Sequence, residues 1–188
     1  MQADNIIYIN GQECKFSAGE TILEVSQKNN IFIPTLCYLK GAAPTGACRI
    51  CVVEVQGARS LLASCATPAV AGMVVQTESS KVIESRKSTL ELLLSSGSHD
   101  CLLCPASGEC TLQDLAYRYR VAGKEFVPRK SLYPMEAVNP FILRDFSRCI
   151  LCGRCVQACV DLQVNNAISF GYRGIGSKIV AAGDQPLK

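Results

Sequence analysis

The chain begins with short apolar runs that are separated by turn residues, a pattern typical of β-strands. The run at residues 6–9 predicts a first strand, and Asn10-Gly11 is the preferred pair for a two-residue type I′ hairpin turn. Residues 12–16 would then return as the second strand. Further strands are predicted at residues 50–55, 61–63 and 73–77, where apolar and β-branched side chains recur.

Apolar residues at helical spacing predict three helices. The first is expected just after the segment from Ser17 to Glu20, which fits a capping box, and Ile22 and Val25 would lie on its buried face. The remaining elements are a second helix from about residue 80 to a stop at Gly97, a third helix over residues 111–122, and a hairpin pairing residues 168–170 with 178–180. Two strands, a helix, a cysteine-bearing loop and more strands describe a β-grasp layout, so the expected fold class is α+β.

Composition and charge exclude several classes of protein. Apolar residues make up 48% of the 188 residues, which is enough for a buried core and excludes wholesale disorder. A formal net charge of +3, evenly scattered, does not indicate binding to nucleic acid or to an acidic membrane. No apolar run approaches the roughly 18 residues of a membrane span, and no secretory signal is visible at the N-terminus. We therefore expect a cytoplasmic protein without membrane insertion.

Cysteine is the unusual feature of the composition, with 12 residues in the chain. Eleven of them fall into three groups in which several are two residues apart. In a reducing compartment such crowding indicates metal or cofactor ligation more often than disulfides. The remaining one, Cys14, is expected to be a buried thiol that acts as a small hydrophobic side chain.

The first group has the spacing C-x10-C-x2-C-x13-C and consists of Cys37, Cys48, Cys51 and Cys65. A [2Fe–2S] cluster needs four thiolates, two per iron, and nearby backbone amides, which the glycine and alanine residues between positions 41 and 47 would permit. The first gap is longer than in the plant-type spacing C-x4-C-x2-C. Four thiolates also suit a structural zinc ion, although zinc ribbons usually carry two C-x-x-C pairs and this group has one.

The second group has the spacing H-x-C-x2-C-x5-C and consists of His99, Cys101, Cys104 and Cys110. His99 is the sole histidine of the chain and directly precedes a C-x-x-C pair. An imidazole nitrogen can replace a thiolate on iron, and it raises the reduction potential in Rieske centres. Three cysteines and a histidine would also suit zinc, but the neighbouring groups favour a [4Fe–4S] cluster.

The third group is the C-x2-C-x2-C-x3-C run of bacterial ferredoxins, which predicts a second [4Fe–4S] cluster. Its members are Cys149, Cys152, Cys155 and Cys159, with Gly153 expected to leave space for the cluster. The usual proline after the fourth cysteine is replaced by Val160. In two-cluster ferredoxins the fourth cysteine ligates the other cluster, so the motif assigns the first three cysteines to this cluster more directly than it assigns Cys159.

The order of these groups resembles the N-terminal electron-transfer module shared by four kinds of redox protein. They are the large iron–sulfur subunit of respiratory complex I, the diaphorase iron–sulfur subunit of NAD-reducing hydrogenases, iron-only hydrogenases, and the α subunits of NAD-linked formate dehydrogenases. The segments IPTLC (33–37), GACRICVVEV (46–55) and GECTLQ (108–113) are similar to the cluster loops of that family. The resemblance implies a β-grasp [2Fe–2S] domain at 1–79, a helical His/Cys3 [4Fe–4S] domain at 80–138, and a bacterial-ferredoxin-like [4Fe–4S] domain at 139–188.

The function expected from this resemblance is that of an iron–sulfur electron-transfer subunit. It would relay single electrons between a flavin- or NAD(P)-binding iron–sulfur subunit and a catalytic formate dehydrogenase or hydrogenase subunit. The chain has no G-x-G-x-x-G after a strand and no phosphate-binding G-x-x-x-x-G-K-[ST], so no catalytic site of its own is predicted. The alternatives are the N-terminal part of a longer catalytic chain, and a zinc-stabilised interaction scaffold without redox function.

Overall fold

The computed structural model describes residues 5–121, 126 and 133–187. Strands β1 (Ile6–Ile9) and β2 (Gln12–Lys15) form an antiparallel hairpin. Asn10 and Gly11 between them have φ values of 53° and 83°, and two positive φ angles are what a type I′ turn requires. The predicted hairpin and its turn are therefore confirmed.

The β1–β2 hairpin belongs to a five-stranded sheet, and the first cysteine group lies in segments that flank its strands. The sheet is completed by β3 (Val52–Val55), β4 (Leu62–Ala63) and β5 (Val74–Gln76), in the order β2-β1-β5-β3-β4. The β1–β5 pair is parallel and the other pairs are antiparallel. Helix α1 (Ile22–Lys28) packs its buried residues against this sheet. The fully buried core includes Ile7, Ile9, Leu23, Val25, Val53 and Val75.

The start of α1 differs from the prediction. Thr21 is the N-cap residue, and it forms a capping box with Glu24, whose N–H donates to Thr21 Oγ1 at 3.3 Å. The Thr21 N–H in turn donates to the Glu24 carboxylate at 2.8 Å. The capping box expected at Ser17 and Glu20 is wrong as a helix start, because the Ser17 N–H donates to Glu20 Oε2 within a separate turn.

Two longer helices build a second core beside the sheet. They are α2 (Ser80–Ser95) and α3 (Thr111–Arg118), and the end predicted for the latter, Ala122, lies outside the described residues. Their buried side chains meet Leu36 and Ile50 of the first cysteine loop, which comprises residues 36–51. The buried residues of this second core are Leu36, Ile50, Leu90, Leu112, Leu115 and Tyr119. The first and second cysteine groups are therefore joined by one apolar core.

Gly97 does not terminate α2 in the way that the sequence suggested. The helix ends at Ser95, and Gly97 is not among the glycines with a positive φ. A Cβ atom at position 97 would lie 2.4 Å from the carbonyl oxygen of Ser147. The Ser98 N–H donates to that same oxygen at 2.8 Å. This position thus needs glycine for the close approach of two segments.

The third cysteine group lies on short elements near a small hairpin. Helix α4 (Arg154–Gln157) continues into a π-helical turn at Ala158–Leu162. The predicted final hairpin is confirmed as β6 (Ile168–Gly171) paired antiparallel with β7 (Lys178–Ala181). The described residues therefore form a mixed α+β structure. Within them, no helix has both the length and the apolar character needed to cross a membrane.

Candidate metal centres

The four cysteines of the first group lie together as two pairs of thiols. The Cys51 and Cys65 sulfurs are 3.4 Å apart, and the Cys37 and Cys48 thiols are hydrogen-bonded to each other. A binuclear iron–sulfur cluster needs two thiolates on each of its two irons, so this pairing fits it. No three His, Cys, Asp or Glu side chains within residues 5–121, 126 and 133–187 converge as they would around one metal ion.

Each pair of thiols in the first group contains one sulfur that loses its proton more readily. A hydrogen bond from the Cys48 thiol lowers the pKa of Cys37. Burial opposes this shift, whereas the Cys48 and Ala47 N–H groups add to it, so the pKa of Cys37 lies well below its ordinary value. The hydrogen bond between the Cys51 and Cys65 thiols likewise lowers the pKa of Cys51 and raises that of Cys65. Amides that donate to sulfur stabilise the thiolate, which is the form that binds iron.

Arg86 holds the main chain on both sides of Cys51. It lies on α2 and is fully buried. Its Nε donates to the carbonyl of Ile50 at 3.0 Å, and its Nη2 donates to that of Val52 at 2.9 Å. Its Nη1 donates to two side-chain oxygens, Glu78 Oε1 at 2.8 Å and the Tyr119 hydroxyl at 2.7 Å. Arg86 was not predicted as a functional residue, although a single charged side chain at helical spacing among apolar ones was a usable signal.

The four predicted ligands of the second group line one cavity of about 440 Å³. These are His99, Cys101, Cys104 and Cys110, and the Nε2 atom of the histidine is buried. A 3₁₀ turn at Cys101–Leu103 presents the first two cysteines, and the Asp100 carboxylate caps it by accepting the Leu102 N–H at 3.2 Å. Three sulfur donors and one nitrogen donor around a single cavity suit a cubane cluster with one histidine ligand.

Three members of the third group lie close enough to influence one another electrostatically. Burial raises the pKa values of Cys149 and Cys155, and the charge of Cys152 raises both further. Gly153 beside them has a φ of 75°, and a Cβ atom there would come 3.0 Å from the ring of Phe170. Glycine at 153 therefore serves a left-handed turn and the approach of β6, and its expected role of leaving room for a cluster stays a prediction.

Cys159 forms hydrogen bonds outside its own group. It is buried in the π-helical turn, and its thiol donates to Asn165 Oδ1 at 2.6 Å. The Ala167 N–H donates to its sulfur at 3.1 Å. These contacts are made by the chain itself, and iron ligation by Cys159 stays a prediction.

Cys14, the cysteine outside the three groups, lies in the core of the sheet. It is fully buried on β2, and its thiol donates to the carbonyl of Gln12 at 3.6 Å. Burial raises its pKa. This environment agrees with the expected role of a small hydrophobic side chain.

The first and third groups approach each other through the first cysteine loop. The Ala43 N–H donates to Asp161 Oδ2 at 3.0 Å, and Gln157 Nε2 donates to the Ala43 carbonyl at 2.8 Å. Cys48 and Cys152 line the same cavity, whose volume is about 340 Å³. One predicted ligand from each of the two groups therefore lines a shared cavity.

Family comparisons assign a cluster type to each part of the chain. A 2Fe-2S iron-sulfur cluster binding domain matches residues 5–80. The NADH-ubiquinone oxidoreductase-G iron-sulfur binding region matches residues 86–124, and a 4Fe-4S binding domain matches residues 142–159. The three matches follow the order and the positions of the three cysteine groups.

Similar proteins cover almost all of the chain. The NADP-reducing hydrogenase subunit HndD of Solidesulfovibrio fructosivorans is 39% identical over 96% of this chain and 32% of its own length. The mitochondrial NADH-ubiquinone oxidoreductase 78 kDa subunit of Candida albicans is 35% identical over 91% of this chain and 24% of its own length. The chain thus spans about a third or less of these curated relatives. In the crystal structure of an NAD+-reducing [NiFe]-hydrogenase, one chain superposes with a TM-score of 0.88 at 36% identity, covering 94% of this chain and 74% of that one.

Proposed function

Because the chain belongs to the family of iron–sulfur modules found in NAD(P)-reducing hydrogenases and in NADH-ubiquinone oxidoreductases, we propose that it relays electrons inside a larger oxidoreductase. It binds one [2Fe–2S] cluster and two [4Fe–4S] clusters. When bound, such clusters supply one-electron carriers. The observation that carries the proposal is the cavity that Cys48 and Cys152 both line, since these are predicted ligands from two different groups.

We propose that each cysteine group holds the cluster type of the family model that matches it. The [2Fe–2S] ligands would be Cys37, Cys48, Cys51 and Cys65. The ligands of the two [4Fe–4S] clusters would be His99, Cys101, Cys104 and Cys110, and Cys149, Cys152, Cys155 and Cys159. Support comes from the paired sulfurs of the first group, the common cavity of the second, and the mutual electrostatic influence within the third.

The part that this chain plays is to hold the three groups in a fixed spatial relation. Arg86 joins the main chain around Cys51 to Tyr119, which directly follows α3. Gln157, at the end of α4, and Asp161, in the turn that follows it, join the first cysteine loop to this part of the chain. Electrons pass efficiently only between carriers that stay close, so these long-range bonds would serve the relay directly.

The finer description of the molecule belongs to the same proposal. We assign a β-grasp fold to residues 1–79, a helical domain to 80–138 and a ferredoxin-like domain to 139–188. The described cysteines are free thiols, which suits the reducing cytoplasm that we propose as the location. The partners would be a flavin- or NAD(P)-binding iron–sulfur subunit and a catalytic hydrogenase or formate dehydrogenase subunit.

Metal analysis of anaerobically purified protein tests the proposal. We expect two irons from the binuclear cluster and four from each cubane, ten in all per chain, with an equal amount of acid-labile sulfide. Reduction should produce paramagnetic signals by EPR. A colourless protein that contains zinc and gives no such signal would instead support the interaction scaffold and overturn the relay.

A further inference from the structure

Arg148 lies between the second and third cysteine groups. It directly precedes Cys149 in the sequence, and its side chain helps to line the cavity of the second group. Its Nη1 atom is buried and has no hydrogen-bond partner among the residues that the structure describes. A buried donor without an acceptor costs free energy of folding, so this atom has a hydrogen bond to offer to a bound group.

The other two nitrogens of Arg148 are already engaged. Its Nε forms an ion pair with Asp145 Oδ2 at 3.1 Å, and its Nη2 donates to the carbonyl of Leu103 at 3.4 Å. Leu103 belongs to the turn between Cys101 and Cys104. The guanidinium is thus tied to the loop that presents two predicted ligands of the second group, and Nη1 is its one nitrogen without a partner among the described residues.

The segment that carries Arg148 is fixed against the loop that carries His99. The Ser147 carbonyl accepts the Ser98 N–H at 2.8 Å, and Gly97 leaves no side chain between the two segments. Asp145 is held as well, because its Oδ1 accepts from the Ser147 N–H at 2.9 Å and from the Ser147 hydroxyl at 2.6 Å. The position of the guanidinium at the cavity is therefore set by the fold.

We propose that Arg148 is a positioning residue that sets the reduction potential of the centre held by His99, Cys101, Cys104 and Cys110. This inference rests on the proposed function. Thiolate and sulfide sulfurs in that cavity would accept the Nη1 hydrogen bond. An arginine keeps its positive charge at any ordinary pH, and each electron received adds negative charge to its acceptors. Arg148 therefore stabilises the reduced state over the oxidised state.

The test is an EPR-monitored redox titration of the full chain with its clusters, comparing Arg148→Gln with the unaltered protein. The signal to follow is the one with nitrogen hyperfine coupling from the histidine ligand. We expect the equilibrium constant for its reduction to fall at least tenfold, which is a potential lower by about 59 mV for one electron. The matched control is Arg154→Gln, because Arg154 precedes Cys155 as Arg148 precedes Cys149 but is exposed to solvent. This control should leave the histidine-coupled signal unshifted.

A second variant should shift the reduction potential of the same centre in the opposite direction. Asp145→Asn keeps the Oδ1 acceptor for Ser147 but removes the charge that partly neutralises Arg148, so the potential should rise. A purely structural disturbance would not shift the two variants in opposite directions. If Arg148→Gln loses four irons, the Asp145→Asn titration alone decides, and an unchanged or lower potential overturns the inference. An unshifted potential in fully loaded Arg148→Gln also overturns it, whereas a wild-type chain without iron would refute the proposed function itself.

Discussion

Replacing Arg86 with methionine removes the guanidinium that supports the main chain on both sides of Cys51. Methionine fills much of the same volume but has no hydrogen to donate. The carbonyls of Ile50 and Val52 would lose donors now at 3.0 and 2.9 Å, and the Tyr119 hydroxyl would lose a contact at 2.7 Å. The change therefore disturbs the first cysteine group without touching a ligand.

The size of the effect follows from these contacts. A buried polar group that loses its partner costs about 1–3 kcal/mol, and the carbonyls of Ile50 and Val52 are affected in this way. The Tyr119 hydroxyl still donates to Glu78 Oε1 at 3.1 Å and adds less. The Glu78 carboxylate is 39% exposed and regains water, so its lost ion pair adds little. We expect a loss of about 3–5 kcal/mol in the free energy of unfolding. For a chain of this length the thermal midpoint would fall by roughly 6–20 °C.

Thermal unfolding of the reconstituted protein, followed by circular dichroism under anaerobic conditions, measures this loss. Lys87→Met is the matched control, because Lys87 is an exposed cation on the same helix and its removal should change stability by less than about 0.5 kcal/mol. Arg86→Lys keeps the charge but cannot donate to all four oxygens, so it should fall between the two. A loss below about 1 kcal/mol in Arg86→Met would refute the role of Arg86 as the support of the Cys51 segment.

Three further substitutions test the assignment of the ligands. Cys14→Ala should leave the iron content unchanged and cost about 1 kcal/mol of stability, since its thiol lies in the core of the sheet; the loss of two irons would mean that the first group is wrongly assigned. His99→Ala should lose one cubane or leave a three-iron form while the other two centres stay intact, whereas His99→Cys should keep the cubane at a lower potential. Full iron content with an unshifted potential in His99→Ala would place the fourth ligand elsewhere. Cys159→Ser should lose iron from the third group alone, and an unchanged iron count would leave Cys159 with only its bonds to Asn165 and Ala167.

Features set by neighbouring residues could be predicted from the sequence. The β1–β2 hairpin depends on two adjacent residues that accept positive φ, and the β6–β7 hairpin on two short apolar runs around a glycine-containing turn. The cysteine groups are recognisable because several thiolates must come from one tight loop, which fixes their spacing. The start of α1 shows the limit of such signals. The same S/T-x-x-E pattern occurs at Ser17 and at Thr21, and only the second caps the helix.

Features set by residues far apart in the sequence could not be predicted in this way. Three of the four partners of Arg86 lie 36 and 34 positions before it and 33 after it. The reason for Gly97 is a carbonyl at Ser147, and the position of Arg148 at the second cavity depends on a carbonyl at Leu103. Spacing along the chain predicts ligands, whereas the residues that hold the predicted ligands in position become apparent only in the folded structure.

The two bonds to Ala43 also have a consequence for the time course of synthesis. Gln157 and Asp161 lie 114 and 118 positions after the residue that they hold. At roughly 5–20 residues per second, a ribosome needs about 6–24 s to reach them after adding Ala43. The sheet with its first cysteine loop can therefore form on the nascent chain, while that loop has neither bond during the interval. During this interval, iron and sulfide can enter the first group from the side of the loop that Gln157 and Asp161 later cover.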